Sequence, residues 1–216
     1  MKLYVYDHCP FCVRARMIFG FKKLPVDLIM VLNDDEKTPV DLIGKKAVPI
    51  LVTDEGRAMP ESLDIVRYVD SHYGATKCLA DQVRPEIENW LTKVGQYVNY
   101  LLLPRFIKLD LPEYRTQAAI DYFVNKKTQT IGDFATHEAK TAEYLQRLEQ
   151  DLEQLVPFIV NEDAANGHLS YEDILLFPVL RNLTCVKGLT FPTKIAQYVA
   201  NMAVLSRIEL YYSKAC

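Results

Sequence analysis

Cys9-Pro10-Phe11-Cys12 follows the apolar run Leu3-Tyr4-Val5-Tyr6 and precedes Val13-Arg14-Ala15-Arg16-Met17-Ile18-Phe19, a stretch of helical character. The order predicts a strand, a turn carrying two thiols, and a helix. At such a junction Cys9 sits at a helix N-terminus, where unpaired backbone N–H groups and the macrodipole favour a thiolate over a thiol. Cys9 is therefore the expected nucleophile. Pro10 suits the first helical position, because its missing N–H has no partner to lose there and its φ is already helical. Cys12 then lies one turn inside, within reach of Cys9, and the pair reads as a redox site. His8 and Arg14 flank it, each read either as plain surface or as support for the thiolate.

Two plainer readings of the cysteine pair fail on chemistry. Structural zinc needs four ligands, but no second C-x-x-C follows; Cys78, Cys185 and Cys216 are scattered singly, and His8 adjoins Cys9 too closely to complete a tetrahedron with it. No metal is expected. A structural disulfide across so short a loop would restrain the unfolded chain little and would sit strained and reducible. Reducibility is what an oxidoreductase requires.

A C-x-x-C beside a βαβ pattern resembles the thioredoxin-like fold, and the following residues complete that pattern. A strand is predicted over 2–6 and a helix over 10–21, closing near Gly20 with Lys22 and Lys23 suited to its C-terminal dipole. A second strand over 26–31 is ended by Asn33-Asp34-Asp35. Residues 38–44 read as a short helix with Thr38 as N-cap, Pro39 at the first helical position and Gly44 as stop. A strand over 48–52 opens on Val48-Pro49; after the turn Asp54-Glu55-Gly56 come a short strand and a helix beginning at Glu61-Ser62 and stopped near Gly74.

A proline opening a strand has no N–H for the ladder and needs an edge or a special bend. In thioredoxin-like chain order the proline at this place is a cis-proline facing the C-x-x-C, so the resemblance implies a cis Val48–Pro49 bond. That would expose the Val48 N–H and C=O beside Cys9, where a peptide-like substrate such as glutathione can pair as an added strand. Glu61 and Ser62 admit two readings. As structure, Ser62 is an N-cap and Glu61 favours the dipole. As function, the helix N-terminus and the Ser62 hydroxyl offer donors to a carboxylate, while Glu61 accepts from an ammonium group; a γ-glutamyl end carries both.

Cys-Pro-Phe-Cys, Val48-Pro49 and Glu61-Ser62, in this order on a β-α-β-α-β-β-α framework, resemble the glutaredoxins and the N-terminal domain of glutathione transferases. Met1-Lys2-Leu3-Tyr4, Asp7-His8-Cys9-Pro10, Leu32-Asn33-Asp34-Asp35, Leu101-Leu102-Leu103-Pro104-Arg105-Phe106 and Leu176-Phe177-Pro178 extend the likeness to the two-domain bacterial glutaredoxins over nearly the whole chain. One departure is Phe11, where glutaredoxins commonly carry Tyr. The resemblance implies a glutathione-dependent thiol–disulfide oxidoreductase acting through Cys9 and Cys12 on protein disulfides and glutathione mixed disulfides. Glutathione would be the co-substrate, held by Phe11, Val48, Pro49, Glu61 and Ser62. Disulfide-bonded or glutathionylated proteins would be the partners, and the chain a monomer. Two alternatives share the framework. A glutathione transferase would gain nothing from Cys12. A carrier of a glutathione-ligated iron–sulfur cluster would be disfavoured by the stiff Pro10 turn.

Beyond residue 84 the β-type alternation gives way to helical periodicity. Ile87, Trp90, Leu91, Val94 and Val98 fall on one face of a helix from Pro85, and Leu145, Leu148, Leu152 and Leu155 repeat at spacings of three and four. Ser170-Tyr171-Glu172-Asp173 resembles a capping box opening an apolar helix that contains Pro178. Cys185 reads as a buried, inert thiol. The expected architecture is α/β plus all-α: a thioredoxin-like domain over 1–72, a linker over 73–84 and an all-helical, transferase-like domain over 85–216. No leader pattern opens the chain and no apolar stretch approaches the ~20 residues of a membrane span, so a soluble cytoplasmic protein without membrane contact is expected. Five cysteines without framework spacing argue against a secreted disulfide scaffold, and a net charge of −3 gives no footprint for nucleic acid.

Overall fold

Alternation decides the first element: Leu3 and Val5 of β1 (Lys2–Val5) are fully buried while Lys2 faces out. The computed structural model of the chain describes residues 1–74 and 76–216; Ala75, inside the stretch read as a linker, lies outside the described residues. After β1 come α1 (Pro10–Phe21), β2 (Asp27–Met30), α2 (Lys37–Ile43), β3 (Ile50–Val52), β4 (Ala58–Met59) and α3 (Ser62–His72). The sheet order is β2-β1-β3-β4. β1 runs parallel to β2, with Leu3 opposite Leu28, and antiparallel to β3, with Tyr4 opposite Ile50. β3 and β4 pair antiparallel, with Leu51 opposite Met59.

α1 and α3 pack together, burying Val13, Met17 and Ile18 from one and Ile65, Val66 and Val69 from the other. Each such side chain, fully buried, contributes roughly 1.5–3 kcal/mol relative to exposure. Several boundaries differ from the sequence reading, β2 among them, which spans Asp27–Met30 instead of 26–31. β1 ends at Val5, one residue early. Thr38 is not the cap of α2: the helix starts at Lys37, and the Asp35 carboxylate takes the Thr38 N–H at 2.9 Å, doing the capping from three residues upstream. Gly44 does stop α2, with φ 74. β3 begins only at Ile50, since Pro49 has no N–H to add to the ladder. The Val48–Pro49 bond is cis.

The chain divides into two units. The first comprises Met1–Cys78, Asp110–Lys126 and Ser206–Ile208. Gly20 of α1 lies against the last of these segments, where a Cβ would come within 2.1 Å of the Ser206 carbonyl oxygen, so no other residue fits unchanged.

The second unit comprises Leu79–Leu109, Lys127–Leu205 and Glu209–Cys216 and is helical. Its helices include α4 (Pro85–Gly95) and α5 (Val98–Phe106); α6 (Gln117–Ile131) begins in the first unit and ends in the second. α7 (Phe134–Ala139), α8 (Thr141–Leu155), α9 (Tyr171–Leu183) and α10 (Thr193–Ser206) follow. The face read as one helix from Pro85 is broken at Gly95, so Ile87, Trp90 and Val94 are buried from α4 and Val98 from α5. Leu148, Leu152 and Leu155 are the buried stripe of α8. The capping box at Ser170 is formed, with Asp173 as its reciprocal partner, and Pro178 lies inside α9. No described helix is long and apolar enough to cross a membrane.

Candidate active site

Cys9 is the N-cap of α1, in extended backbone conformation (φ −68°, ψ 118°), with Pro10 at the first helical position. Its carbonyl accepts the Val13 N–H at 3.0 Å, closing the first turn. Cys12 is fully buried, and the Tyr6 N–H donates to its Sγ at 3.4 Å. The two thiols are unequal. Donation from the Cys12 thiol, outweighing burial and aided by His8 and the N–H groups of Cys12 and Phe11, holds Cys9 down to about 7 from its ordinary 9.0. Burial, together with its hydrogen bond to Cys9 and the charge there, pushes Cys12 well above that ordinary value. Near neutrality Cys9 is about half thiolate while Cys12 remains a thiol.

This asymmetry sets a pH dependence. Only the thiolate reacts with an alkylating agent, so Cys9 reactivity rises as pH rises through about 7, by about tenfold per unit below the midpoint. Iodoacetamide labelling of Cys9, followed by mass spectrometry, is expected to reach its plateau by about pH 8; a midpoint near that of an ordinary thiol would contradict the assignment. Two other cysteines are poor competitors. Burial, then the neighbouring Asp70, pushes Cys78 up to about 12, and burial pushes Cys185 up to about 12.

The remaining sequence-predicted residues emerge at one end of the sheet, because of strand direction. Cys9 and Phe11 follow the C-terminal end of β1; Val48 and Pro49 precede antiparallel β3; Glu61 and Ser62 follow β4, which runs antiparallel to β3 in turn. Phe11 is half exposed, with the Arg14 guanidinium 4.8 Å from its ring centre. Val48 is half-buried and Pro49 buried. Ser62 is the first residue of α3, not its cap; the cap is Glu61, whose φ of 69° is an uncommon conformation for a residue with a side chain. Its carbonyl takes the Ile65 N–H at 3.0 Å, and its exposed carboxylate meets Lys45 Nζ at 3.0 Å.

One cluster was invisible in the sequence reading. His8 is buried, not surface, and its backbone N–H and ring Nδ1 both meet Glu113 Oε1, at 2.9 and 2.5 Å. Glu113 is fully buried. Burial pushes its carboxyl up, but the hydrogen bonds and charge of His8 prevail and hold it below its ordinary value. The Tyr114 hydroxyl lies 3.2 and 3.3 Å from the two His8 ring nitrogens, and Tyr6 and Phe123 complete the aromatic surround. Among the described residues no group of three or more His, Cys, Asp and Glu side chains could hold a metal ion.

Comparison with known proteins agrees with this geometry. Residues 86–215 match the family model "Glutaredoxin 2, C terminal domain" and residues 3–77 the model "Glutathione S-transferase, N-terminal domain". Glutaredoxin 2 of Escherichia coli K12 is 50% identical over 215 residues, covering 100% of both chains. The structure of glutaredoxin 2 from Salmonella typhimurium in complex with glutathione superposes with a TM-score of 0.97 at 52% identity, covering 100% of this chain and 98% of that one. A glutathione transferase from Phanerochaete chrysosporium shares the fold at a TM-score of 0.71 and 16% identity, over 94% of this chain and 96% of its own. With identity of this order along its entire length, the chain belongs to the glutaredoxin 2 family.

Proposed function

We propose that the protein is a glutathione-dependent thiol–disulfide oxidoreductase in which Cys9 is the nucleophile and Cys12 the resolving thiol. The observation that carries the reading is the unequal pair at the start of α1, a thiolate at Cys9 beside a protonated, buried Cys12. The Cys9 thiolate attacks one sulfur of a disulfide, forming a Cys9 mixed disulfide and releasing the other sulfur as a thiolate, which takes up a proton. Cys12 then gives up its proton and attacks Cys9, closing the Cys9–Cys12 disulfide and releasing the second thiol. Two molecules of glutathione reopen it: the first forms a Cys9–glutathione disulfide, the second removes that glutathione as glutathione disulfide. For a glutathione mixed disulfide, Cys9 alone completes the cycle.

In the same reading, glutathione lies along the end of the sheet described above. The Val48 N–H and C=O pair with its backbone and Phe11 flanks it. Ser62 and the first N–H groups of α3 receive the γ-glutamyl carboxylate, and Glu61 receives the ammonium group. The relative from Salmonella typhimurium was solved in complex with glutathione, which supports glutathione as the ligand. The physiological substrates are disulfide-bonded or glutathionylated proteins, the protein works as a cytoplasmic monomer, and its domains are 1–72 and 85–216 with a linker over 73–84. The spans of the two family models support that division.

The test is glutathione-dependent reduction of a small mixed disulfide, coupled to glutathione reductase and NADPH. Rapid turnover is expected. Absence of turnover together with conjugation of glutathione to an electrophile would replace the reading with a transferase. Visible absorbance in protein purified without oxygen would favour a cluster carrier.

A further inference from the structure

Glu113 is far along the chain from the dithiol, yet its carboxylate is the partner of the residue that precedes Cys9. We propose that Glu113 is a positioning residue for the nucleophile: its carboxylate fixes the His8 ring and the chain entering the turn, and with them the electrostatic action of His8 on Cys9. The inference rests on the reading of Cys9 as the nucleophile.

Three features of the geometry support it. A fully buried carboxylate is tolerated only where hydrogen bonds and an opposite charge answer it. Glu113 Oε2 receives no hydrogen bond from any described residue, so its charge is answered through Oε1, by His8. Second, the contact is double. Oε1 accepts from the His8 backbone N–H as well as from the ring, so one oxygen fixes both the position of the chain entering the turn and the orientation of the imidazole. Third, Glu113 is itself held in place: it lies in the one-turn helix Pro112–Tyr114, and its carbonyl accepts the Asn33 N–H at 2.9 Å.

Glu113 brings a carboxylate to Nδ1 of the His8 ring. Tyr6 stacks on the ring at 5.8 Å, Tyr114 at 5.3 Å, and Phe123 meets it edge-on at 5.5 Å. Burial, first of all, pushes the Tyr6 hydroxyl far up, so it stays neutral. From α1 the Arg14 cation acts on Cys9, and Cys12 is raised further by the Glu113 charge. Glu113 therefore acts on both sulfurs in directions that keep them unequal. Through His8 it favours charge on Cys9, and directly it disfavours charge on Cys12.

The deciding experiment is the pH profile of Cys9 alkylation in the full-length protein, with iodoacetamide as probe and mass spectrometry to identify the labelled thiol, in wild type, Glu113→Gln, His8→Gln and the double variant. Circular dichroism establishes that each is folded. At about pH 6 the Glu113→Gln rate is expected to fall about three- to tenfold, a rise in the Cys9 midpoint of about half to one unit. Above about pH 9.5, where the thiolate is nearly fully formed in both, the rates converge. His8→Gln should show a similar shift, and the double variant should fall no further than the larger single effect. A folded Glu113→Gln protein with the wild-type profile overturns the proposal, as do single losses that multiply in the double variant. Should Glu113→Gln fail to fold, His8→Gln reads the same linkage, and an unchanged profile there overturns it. A wild-type Cys9 lacking low-pH reactivity would instead remove the nucleophile assignment, and the positioning role with it, before any variant is compared.

Discussion

Cys9→Ser is expected to abolish glutathione-dependent turnover, with a loss of at least about 10³-fold, equivalent to roughly 4 kcal/mol of transition-state stabilisation. The reason lies in the populations at neutral pH. Cys9, held down to about 7, is about half thiolate, whereas a serine hydroxyl in its place is almost never ionised and can form no mixed disulfide. Cys12→Ser separates the two halves of the proposed cycle. Its hydroxyl can still donate to the Cys9 sulfur, so reduction of a glutathione mixed disulfide is retained, while reduction of a protein disulfide that depends on Cys9–Cys12 closure is lost. Cys12→Ala removes the donor too, and the Cys9 midpoint should rise, because that donation is its largest lowering influence. The coupled glutathione reductase assay on a small mixed disulfide and on a protein disulfide reads all three variants. Equal losses in Cys9→Ser and Cys12→Ser on both substrates would end this division of labour.

The largest expected effect on stability comes from Asp173→Ala in the second unit, about 3–5 kcal/mol. Asp173 Oδ1 accepts the Ala165 N–H at 2.8 Å and the Tyr198 hydroxyl at 2.9 Å, while Oδ2 accepts the Ser170 N–H at 2.9 Å. The carboxyl is raised, first by burial, in spite of these bonds, so the ionised group is costly to keep inside. Removing it is costlier still. Three buried donors lose their acceptor at once, and each orphaned donor costs about 1–3 kcal/mol. Urea unfolding should show a lower midpoint with an unchanged slope. A loss under about 1 kcal/mol would mean that the neighbours recruit other acceptors.

What could be read in advance was what neighbours along the chain decide. The bounds of α1, Cys9 at its cap, Pro10 in its first turn and the Gly44 stop all follow from side chains acting on their own backbone. The errors arose where two nearby residues could do the same task. Asp35 and Thr38 are both capping types, and the carboxylate of Asp35 takes the role by accepting the Thr38 N–H; at α3 the cap position falls to Glu61, whose side chain makes no cap bond, rather than to Ser62. The helix from Pro85 is shorter than its periodicity suggests, because the apolar face carries on from α4 into α5 across the turn after Gly95. The partnership of His8 with Glu113 has no periodicity, spacing or capping rule behind it. It exists only because the segment Asp110–Lys126 belongs to the same unit as the sheet.

That unit is also closed by Ser206–Ile208, whose Ser206 carbonyl lies directly over Gly20. A ribosome releases β1, α1 and the dithiol turn early, but the residues that cover the back of α1 lie about 185 positions further along the chain. At ~5–20 residues per second the interval is on the order of ten to forty seconds. During it the nascent chain already presents Cys9 and Cys12 on a helix whose seam at Gly20 is open. Assembly of the redox unit therefore waits for residue 206, and a transcript truncated before it would yield both cysteines without the finished unit that holds them unequal.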